Sequence, residues 1–292
     1  MIEFRDLIQA GLHFGHQKSR WCPKMAPYIW GHRNGVHLID VSKIAFNLEK
    51  SAKFLEEVAA RGETILWVGN KKSAKGMIES IGQNLNMPYV SHRWLGGTIT
   101  NFYQVKKAVT KFLHLEDVIK KSEDSTYTKK EFVTFQKAAD RLKRTVGGLI
   151  DLKMPIGAIV LIDVKKEYTA LQEAVSAGVP VVALVDSNAN PDGVDFVIPG
   201  NDDSPKAIKL VLDYLAAGAA RGLDKKNLHD EAQAIAQASD LAAKKAHVQA
   251  KNAKQQPVVA KKPVNAFEAK LAIAEKQEEL AKELAEQLEA GK

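Results

Sequence analysis

The sequence has few of the features of secreted, disulfide-stabilised or membrane proteins. Its 292 residues include one cysteine, Cys22, so an internal disulfide is excluded and a reducing compartment is indicated. No apolar run reaches the roughly 18 residues that a membrane-spanning helix needs. The N-terminal stretch MIEFRDLIQAG is too interrupted by charge to be a secretory signal. We therefore expect a cytoplasmic protein without a membrane partner.

Motifs of the common enzyme classes are missing as well. The stretch WVGNKKSAKG is similar to a phosphate-binding P-loop, but Gly76 is not followed by lysine and the glycine spacing is wrong. The histidines near the N-terminus form no metal-ligand pattern with acidic residues or cysteine, and there is no G-x-S-x-G motif. We expect no enzymatic activity, no cofactor, no metal and no small-molecule substrate.

Acidic residues are absent from two long stretches, residues 13–37 and 80–115, whereas basic and aromatic residues occur in both. The chain as a whole has a net charge of +7, which favours a polyanionic partner without proving one. Lysine and arginine neutralise phosphates and release counterions, whereas a nearby carboxylate would repel them. Aromatic rings add stacking on unpaired bases. The two acid-free stretches therefore indicate an RNA-binding surface.

The stretch SHRWLGGTITNF, residues 91–102, lies in the second acid-free segment. We expect Arg93 to contact a phosphate or a base. Gly96 and Gly97 should form a tight turn that lets the backbone approach a neighbour closely. The threonines and the asparagine that follow offer neutral hydrogen bonds. Trp94 belongs either to this surface or to the core.

A further basic cluster follows the apolar run TILWVG, where three lysines lie beside the amides of a predicted helix start. This is a favourable place for a phosphate, although a solvated helix start explains the same residues. Together, these segments predict one RNA-binding set. Its members are Lys18, Arg20, Trp21, Lys24, Arg33, Lys71, Lys72, Lys75, Arg93, Thr98, Thr100, Asn101, Lys106, Lys107 and Lys111.

Short apolar runs alternate with helix-length amphipathic segments along most of the chain. Two of the connecting segments end at Gly62 and Gly178, the residue type favoured just after a helix. The alternation predicts a doubly wound α/β fold with a mostly parallel sheet. The predicted strands are 36–41, 64–69, 88–91, 157–164, 180–186 and 195–200.

An insertion at residues 103–150 interrupts this alternation. It contains two segments with apolar residues three and four positions apart, which is typical of the seam of short coiled-coil helices. The polar linker KSEDSTYTK between them predicts an antiparallel α-helical hairpin, and a lid packed on the sheet is the alternative. The two seams are Val105, Ala108, Phe112, Leu115 and Ile119, and Phe132, Phe135, Ala139, Leu142, Val146 and Leu149.

The predicted domains are an α/β domain over residues 1–222, interrupted by the hairpin, and a tail over residues 223–292. The tail is rich in alanine, lysine and glutamate and has too few large apolar residues for a second core. We therefore expect the tail to be partly helical or disordered.

Two other functional hypotheses stay open at this point. Asp163 and Asp186 end neighbouring predicted strands, where acidic residues suit an enzyme acting on a phosphorylated small molecule. Turn formation, and helix capping by Asp202 and Asp203, explain the aspartates without a site. The hairpin and the tail also suit a protein-binding adaptor for which RNA is irrelevant.

Four long motifs follow one another in collinear order within residues 2–220: GLHFGHQKSRWCPKMAPYIWGHRNGVHLIDVSK, VGNKKSAKGMI, HRWLGGTITNF and IDVKKEYTALQEAVSAGVPVVALVDSNANPDGVDFVIPGNDD. Together they resemble the bacterial small-subunit ribosomal protein S-two family. The resemblance implies a flavodoxin-like, Rossmann-like α/β domain with an inserted coiled-coil hairpin, and a structural role in translation. It also implies contact with the small-subunit (16S) rRNA and with other small-subunit ribosomal proteins, including help in docking the mRNA-binding ribosomal protein S-one.

Overall fold

The structure, a computed structural model, describes residues 2–121 and 127–229. This part of the chain contains two sheets with flanking helices. The strands are β1 (Phe14–Gln17), β2 (Ile29–Arg33), β3 (Val36–Ile39), β4 (Thr64–Val68), β5 (Tyr89–Val90), β6 (Ile156–Ile162), β7 (Val181–Val185) and β8 (Phe196–Pro199). The helices are α1 (Phe4–Gln9), α2 (Val41–Ala60), α3 (Lys75–Leu85), α4 (Phe102–Lys120), α5 (Lys129–Val146), α6 (Tyr168–Ala177) and α7, described over 205–229.

The larger sheet has five strands, all parallel, in the order β5-β4-β6-β7-β8. Counted within this sheet the order is 2-1-3-4-5, which is the order of flavodoxin-like proteins. The prediction of a doubly wound α/β fold is therefore confirmed. Gly62 and Gly178, the predicted helix ends, both have positive φ angles, of 76° and 68°. None of the described helices is apolar over a length that could span a bilayer.

Both faces of the five-stranded sheet are buried, because side chains alternate along each strand. In β4, Ile65 and Trp67 join a cluster with residues of α2 and α7, whereas Leu66 and Val68 join a second cluster with residues of α6. A strand covered on both faces is apolar throughout. This is why the runs that became β4, β6 and β7 were recognisable in the sequence.

The predicted strand 36–41 forms, as β3, but it does not belong to the parallel sheet. It is the central strand of a separate three-stranded antiparallel sheet in the order β1-β3-β2. Its neighbours β1 and β2 were not predicted. Both are short and carry register irregularities against β3, so a regular alternation of apolar and polar residues does not develop.

The insertion contains two helices, α4 and α5, which pack along each other as the sequence predicts. Phe112 and Val146 meet at the base of this hairpin, in a cluster with Val109 that also receives Leu95 from the preceding loop. Phe135, which lies nearer the start of α5 and farther from the base of the hairpin, is only half-buried and makes an edge contact with Tyr127. The helical hairpin is thus observed, while the regular coiled-coil seam stays a prediction.

Helix α7 continues to residue 229, seven residues beyond the predicted domain boundary at 222. A Cβ atom added to Gly222 would lie 2.3 Å from the backbone oxygen of Glu56, so the glycine lets α7 approach α2 closely. The Glu56 side chain binds Arg221, at 2.9 Å, and Lys225. The tail prediction from residue 230 onward lies outside the described residues.

We expect Phe112→Ala to loosen the hairpin, because truncating a buried phenylalanine costs about 3–5 kcal/mol. Phe112 is 3% exposed. Phe135→Ala should have a smaller effect, since that ring keeps contact with solvent in the folded state. Hydrogen exchange should show faster exchange in α4 and α5 of the Phe112 variant, with β6 and β7 still protected. Leu113→Ala is a matched control, because Leu113 is 43% exposed. Equal loss of protection in the hairpin and the sheet would contradict the prediction.

Candidate nucleic-acid interface

The loop between β5 and α4, which contains the stretch SHRWLGGTITNF, is held from inside by one buried carboxylate. Glu173 of α6 is 8% exposed and accepts hydrogen bonds from several groups of the loop. The donors are Trp94 Nε1 at 2.9 Å, Gly97 N at 2.8 Å, Ile99 N at 3.0 Å and Thr100 N at 3.4 Å.

Burial alone would raise the pKa of Glu173, but the hydrogen bonds from the loop outweigh burial and hold its pKa below the ordinary value. Glu173 is therefore a carboxylate at neutral pH. A buried charge is tolerated only where hydrogen bonds replace its hydration. The loop supplies these donors, and the carboxylate in turn satisfies backbone N–H groups that have no helix or strand partner. The sequence did not point to Glu173, because it lies more than seventy positions after the loop.

The same loop shows which of its predicted RNA-binding residues reach the surface. Gly97 has a φ angle of +89°, the left-handed region that favours glycine, which fits the predicted tight turn. Thr98 is fully buried and its hydroxyl donates to the Leu95 carbonyl, so it shapes the loop and does not belong to the exposed surface. Arg93, Thr100 and Asn101 are exposed. Trp94, by contrast, is 7% exposed and packs in the core.

The basic residues of α4 continue this surface. Lys106, Lys107 and Lys111 are all exposed, on the side of the helix away from the buried Val105 and Phe112. We define the loop–α4 surface as Arg93, Thr100, Asn101, Lys106, Lys107 and Lys111.

Lys71 requires a correction, because its charge is used inside the protein. Its ammonium lies 2.8 Å from Asp202, 2.6 Å from Asp203 and 3.6 Å from Asp163. Burial alone would lower the pKa of Lys71, but these carboxylates raise it above its ordinary value, so the side chain is charged and already neutralised. The sequence predicts that Asp202 and Asp203 cap a helix, but in the structure both carboxylates bind Lys71 instead. Asn201 and Ser204 accept the hydrogen bonds at the start of α7.

The two other lysines of that cluster differ from Lys71. Lys72 is exposed. Lys75 is half-buried, with its ammonium 3.1 Å from Nδ1 of His92. Lys72 is therefore the member of the cluster that the structure leaves free to meet a phosphate.

Around the antiparallel sheet, the predicted residues Lys18, Arg20, Trp21 and Arg33 are exposed. Lys24 is also exposed but forms an ion pair with Asp192. The sequence prediction omitted Trp30, whose 76% exposure exceeds that of every other large apolar side chain in the described part of the chain. We define the N-terminal surface as Lys18, Arg20, Trp21, Trp30 and Arg33.

His16 ties the antiparallel sheet to the carboxyl end of the parallel one. Its Nδ1 lies 2.9 Å from Asp186 and its Nε2 lies 3.3 Å from Asp203. Its backbone N–H donates to Ser187 Oγ at 2.7 Å. The hydrogen bond to Asp186 raises the pKa of His16, with help from the charges of Asp186, Asp203 and Asp202 and against partial burial.

Asp163 and Asp186 do follow neighbouring strands, β6 and β7, as expected. Flavodoxin-like proteins bind ligands at this edge of the sheet. Here Asp163 faces Lys71 and Asp186 faces His16, so both carboxylates are engaged by side chains of the chain itself. Over residues 2–121 and 127–229, no group of acidic, histidine or cysteine side chains has an arrangement that could hold a metal ion.

Comparison with known proteins identifies the family of this α/β domain. The family model described as "Ribosomal protein S2" matches residues 7–222. The "Small ribosomal subunit protein uS2" of Geotalea uraniireducens (strain Rf4) is 40% identical over 227 residues, covering 78% of this chain and 89% of the relative. The protein of the same name from Amoebophilus asiaticus (strain 5a2) is 40% identical over 230 residues, covering 79% and 74%.

These matches define the chain first as a structural, non-enzymatic component of the small ribosomal subunit that acts in translation. More particularly, the chain belongs to the ribosomal protein S2 family, the S-two family that its motifs resemble. As a ribosomal protein it associates with rRNA and with other ribosomal proteins.

We expect Glu173→Gln to destabilise the loop, because a neutral amide has one acceptor oxygen and sets its own NH₂ group against the donors of the loop. Each buried donor left without a partner costs about 1–3 kcal/mol. Urea unfolding should report the lower free energy of unfolding, and hydrogen exchange should localise the loss to residues 94–100. Gln172→Ala, at the neighbouring exposed position of α6, is the control. An unchanged free energy of unfolding in the Glu173 variant would rule out the role given to this carboxylate.

A second prediction concerns pH. Because the folded-state pKa of His16 is raised above 6.5, its charged form contributes stability that is fully present below that value and is lost as the pH rises through the raised pKa. The stability difference between the wild type and His16→Gln should therefore be large near about pH 6 and small near about pH 9. NMR titration should place the His16 pKa above 6.5. His32→Gln, at an exposed position, is the control. A stability difference that grows with pH would contradict the assignment.

Proposed function

We propose that the chain binds the small-subunit rRNA through the loop–α4 surface and the N-terminal surface. The observation that carries this proposal is the group of exposed, uncompensated cations in segments without acidic residues. Within residues 2–121 and 127–229, no ion pair joins Arg93, Lys106 or Lys111 to a carboxylate. Residues 80–115 contain no acidic residue at all.

Electrostatics explains why such a surface favours RNA. A lysine or arginine beside a carboxylate gains little from a phosphate, because it must give up an existing partner. An unpaired cation has no such loss and gains the entropy of the counterions that it displaces from the nucleic acid. Lys71, with three aspartates around it, is left out of the interface for the same reason.

A second candidate function is docking of the mRNA-binding ribosomal protein S-one, which the family resemblance implies. Two exposed aromatic residues of the antiparallel sheet favour it. Trp30 is 76% exposed and Phe14 is 49% exposed. Phe14 and Gly31, the residue after Trp30, lie in register on either side of Leu38. Aromatic side chains left open on a rigid sheet are typical anchors of protein–protein interfaces.

Sedimentation of the tagged protein in cell lysate tests the rRNA proposal when it is combined with binding to deproteinised rRNA. We expect the protein to migrate with small subunits at low salt and to bind the isolated rRNA with an affinity that falls with salt. Migration with subunits but no binding to isolated rRNA would assign its position to protein contacts alone, as in the adaptor hypothesis. A Phe14→Ser variant that binds rRNA normally but retains less S-one on subunits would support the docking role.

The salt dependence gives a quantitative prediction. The variant with Arg93, Lys106 and Lys111 all changed to Gln should show a slope of log affinity against log salt that is smaller by about 2–3, because each phosphate contact contributes roughly 0.7–0.9. Lys43, Lys53 and Arg61 are matched controls, since each lies beside an acidic residue. Changing these three to Gln should leave the slope unchanged. Equal slopes for wild type and the first variant, with the fold intact, would remove its three residues from the interface.

A further inference from the structure

Tyr103, in the first turn of α4, has an aromatic ring that the fold does not use for packing. The side chain is 68% exposed. The ammonium of Lys107, one helical turn later, lies 4.5 Å from the centre of the ring. Tyr103 was not part of the RNA-binding set predicted from the sequence.

Basic side chains lie beside the Tyr103 ring on one side of α4. A shallow depression of about 550 Å³ runs along this side. It is lined by Tyr103, Lys106, Lys107, Thr110, Lys111 and His114. The opposite side of α4 carries the buried Val105, Val109 and Phe112, so the helix cannot rotate to hide the depression.

The charges on this side of α4 oppose helix formation. Lys107 and Lys111 are four residues apart, a spacing at which like charges repel across one turn. The first acidic residue after them is Glu116, which does not line the depression. The residues that line the depression therefore include no carboxylate that could pair with the lysines. A surface of this kind gains most from a ligand that brings several negative charges.

We propose that Tyr103 is a stacking platform for an unpaired base of the rRNA, with Lys106, Lys107 and Lys111 neutralising the phosphates on either side of that base. This inference rests on the proposed rRNA binding and names the form of RNA that the loop–α4 surface receives. The contact requires a single-stranded or bulged nucleotide, because the bases of a duplex stack on each other and do not offer a free face.

The chemistry favours RNA over a protein as the occupant. An acidic peptide would satisfy the lysines but would leave the ring without a flat partner. An aromatic side chain of a protein would satisfy the ring but would leave the lysines unpaired. A nucleotide supplies both the flat ring and the phosphate at adjoining positions. The contact between Lys107 and the ring is weak at an exposed site, so a base and a phosphate can replace it.

Binding of deproteinised rRNA by three variants tests this assignment. Tyr103→Leu should weaken binding roughly five- to hundredfold without changing the salt slope, because stacking involves no counterions. Tyr103→Phe keeps the ring and should bind within about twofold of the wild type. Lys107→Gln should reduce the slope by about 0.7–0.9. Tyr168→Leu, at another exposed tyrosine that is 59% exposed, is the control and should bind like the wild type.

Competition separates stacking from simple charge. A single-stranded RNA oligonucleotide should displace the labelled rRNA from the wild type better than a duplex of equal length, and Tyr103→Leu should lose this preference. Wild-type rRNA binding that Tyr103→Leu leaves unchanged would overturn the platform and keep the proposed function. Normal rRNA binding by this variant with poor entry into subunits would assign Tyr103 to a protein contact and also overturn it. Failure of the wild type to bind rRNA would overturn the proposed function and the platform together.

Discussion

One buried carboxylate organises the loop on which the loop–α4 surface depends. Glu173 lies on α6, outside the acid-free stretch, and its oxygens accept hydrogen bonds from N–H groups on the interior side of the loop. The loop therefore has an acidic interior anchor and an acid-free exterior. The fixed conformation of the loop and the positive potential at its surface therefore depend on residues from different parts of the chain. Arg93 and Asn101 are exposed, while backbone N–H groups of the loop donate to Glu173 on the interior side.

Two groups of cations in the described part of the chain differ in a way that composition alone does not show. Lys71 and His16 are bound by aspartates at the carboxyl edge of the parallel sheet, where they join separate segments of the domain. Arg93 and Lys106 face solvent. The first group stabilises the fold and fills an edge at which related folds bind ligands. The second group contributes positive charge at the surface, whereas the net charge of +7 for the whole chain counts both groups alike.

The parallel sheet could be predicted from sequence because burial on both faces makes β6 and β7 apolar throughout. The helices of the hairpin could be predicted because their apolar spacing is local. The antiparallel sheet could not, since β1 and β2 are short and irregular in register. The ion pair of Lys71 could not be predicted either, because its partner Asp202 lies 131 positions away.

The candidate site shows the same division. The acid-free segments were visible, and most of the basic residues named from them are exposed. Which residues of the loop turn inward depends on Glu173, which is 76 positions from Gly97. Spacing within the loop carries no information about a partner on α6. The exposure of Trp30 was not predicted, because the sequence gives the type of a side chain but not its environment.

The four tryptophans are divided between interior and surface in a way that has a spectroscopic consequence. Trp67 and Trp94 are 0% and 7% exposed, whereas Trp21 and Trp30 are 37% and 76% exposed. Indole emission shifts to longer wavelength in water, and a dissolved quencher reaches only rings that contact solvent. The unquenchable part of the emission therefore reports on the sheet and on the loop held by Glu173. The quenchable part reports on the N-terminal surface, so the protein carries separate optical labels for its core and for one of its proposed interfaces.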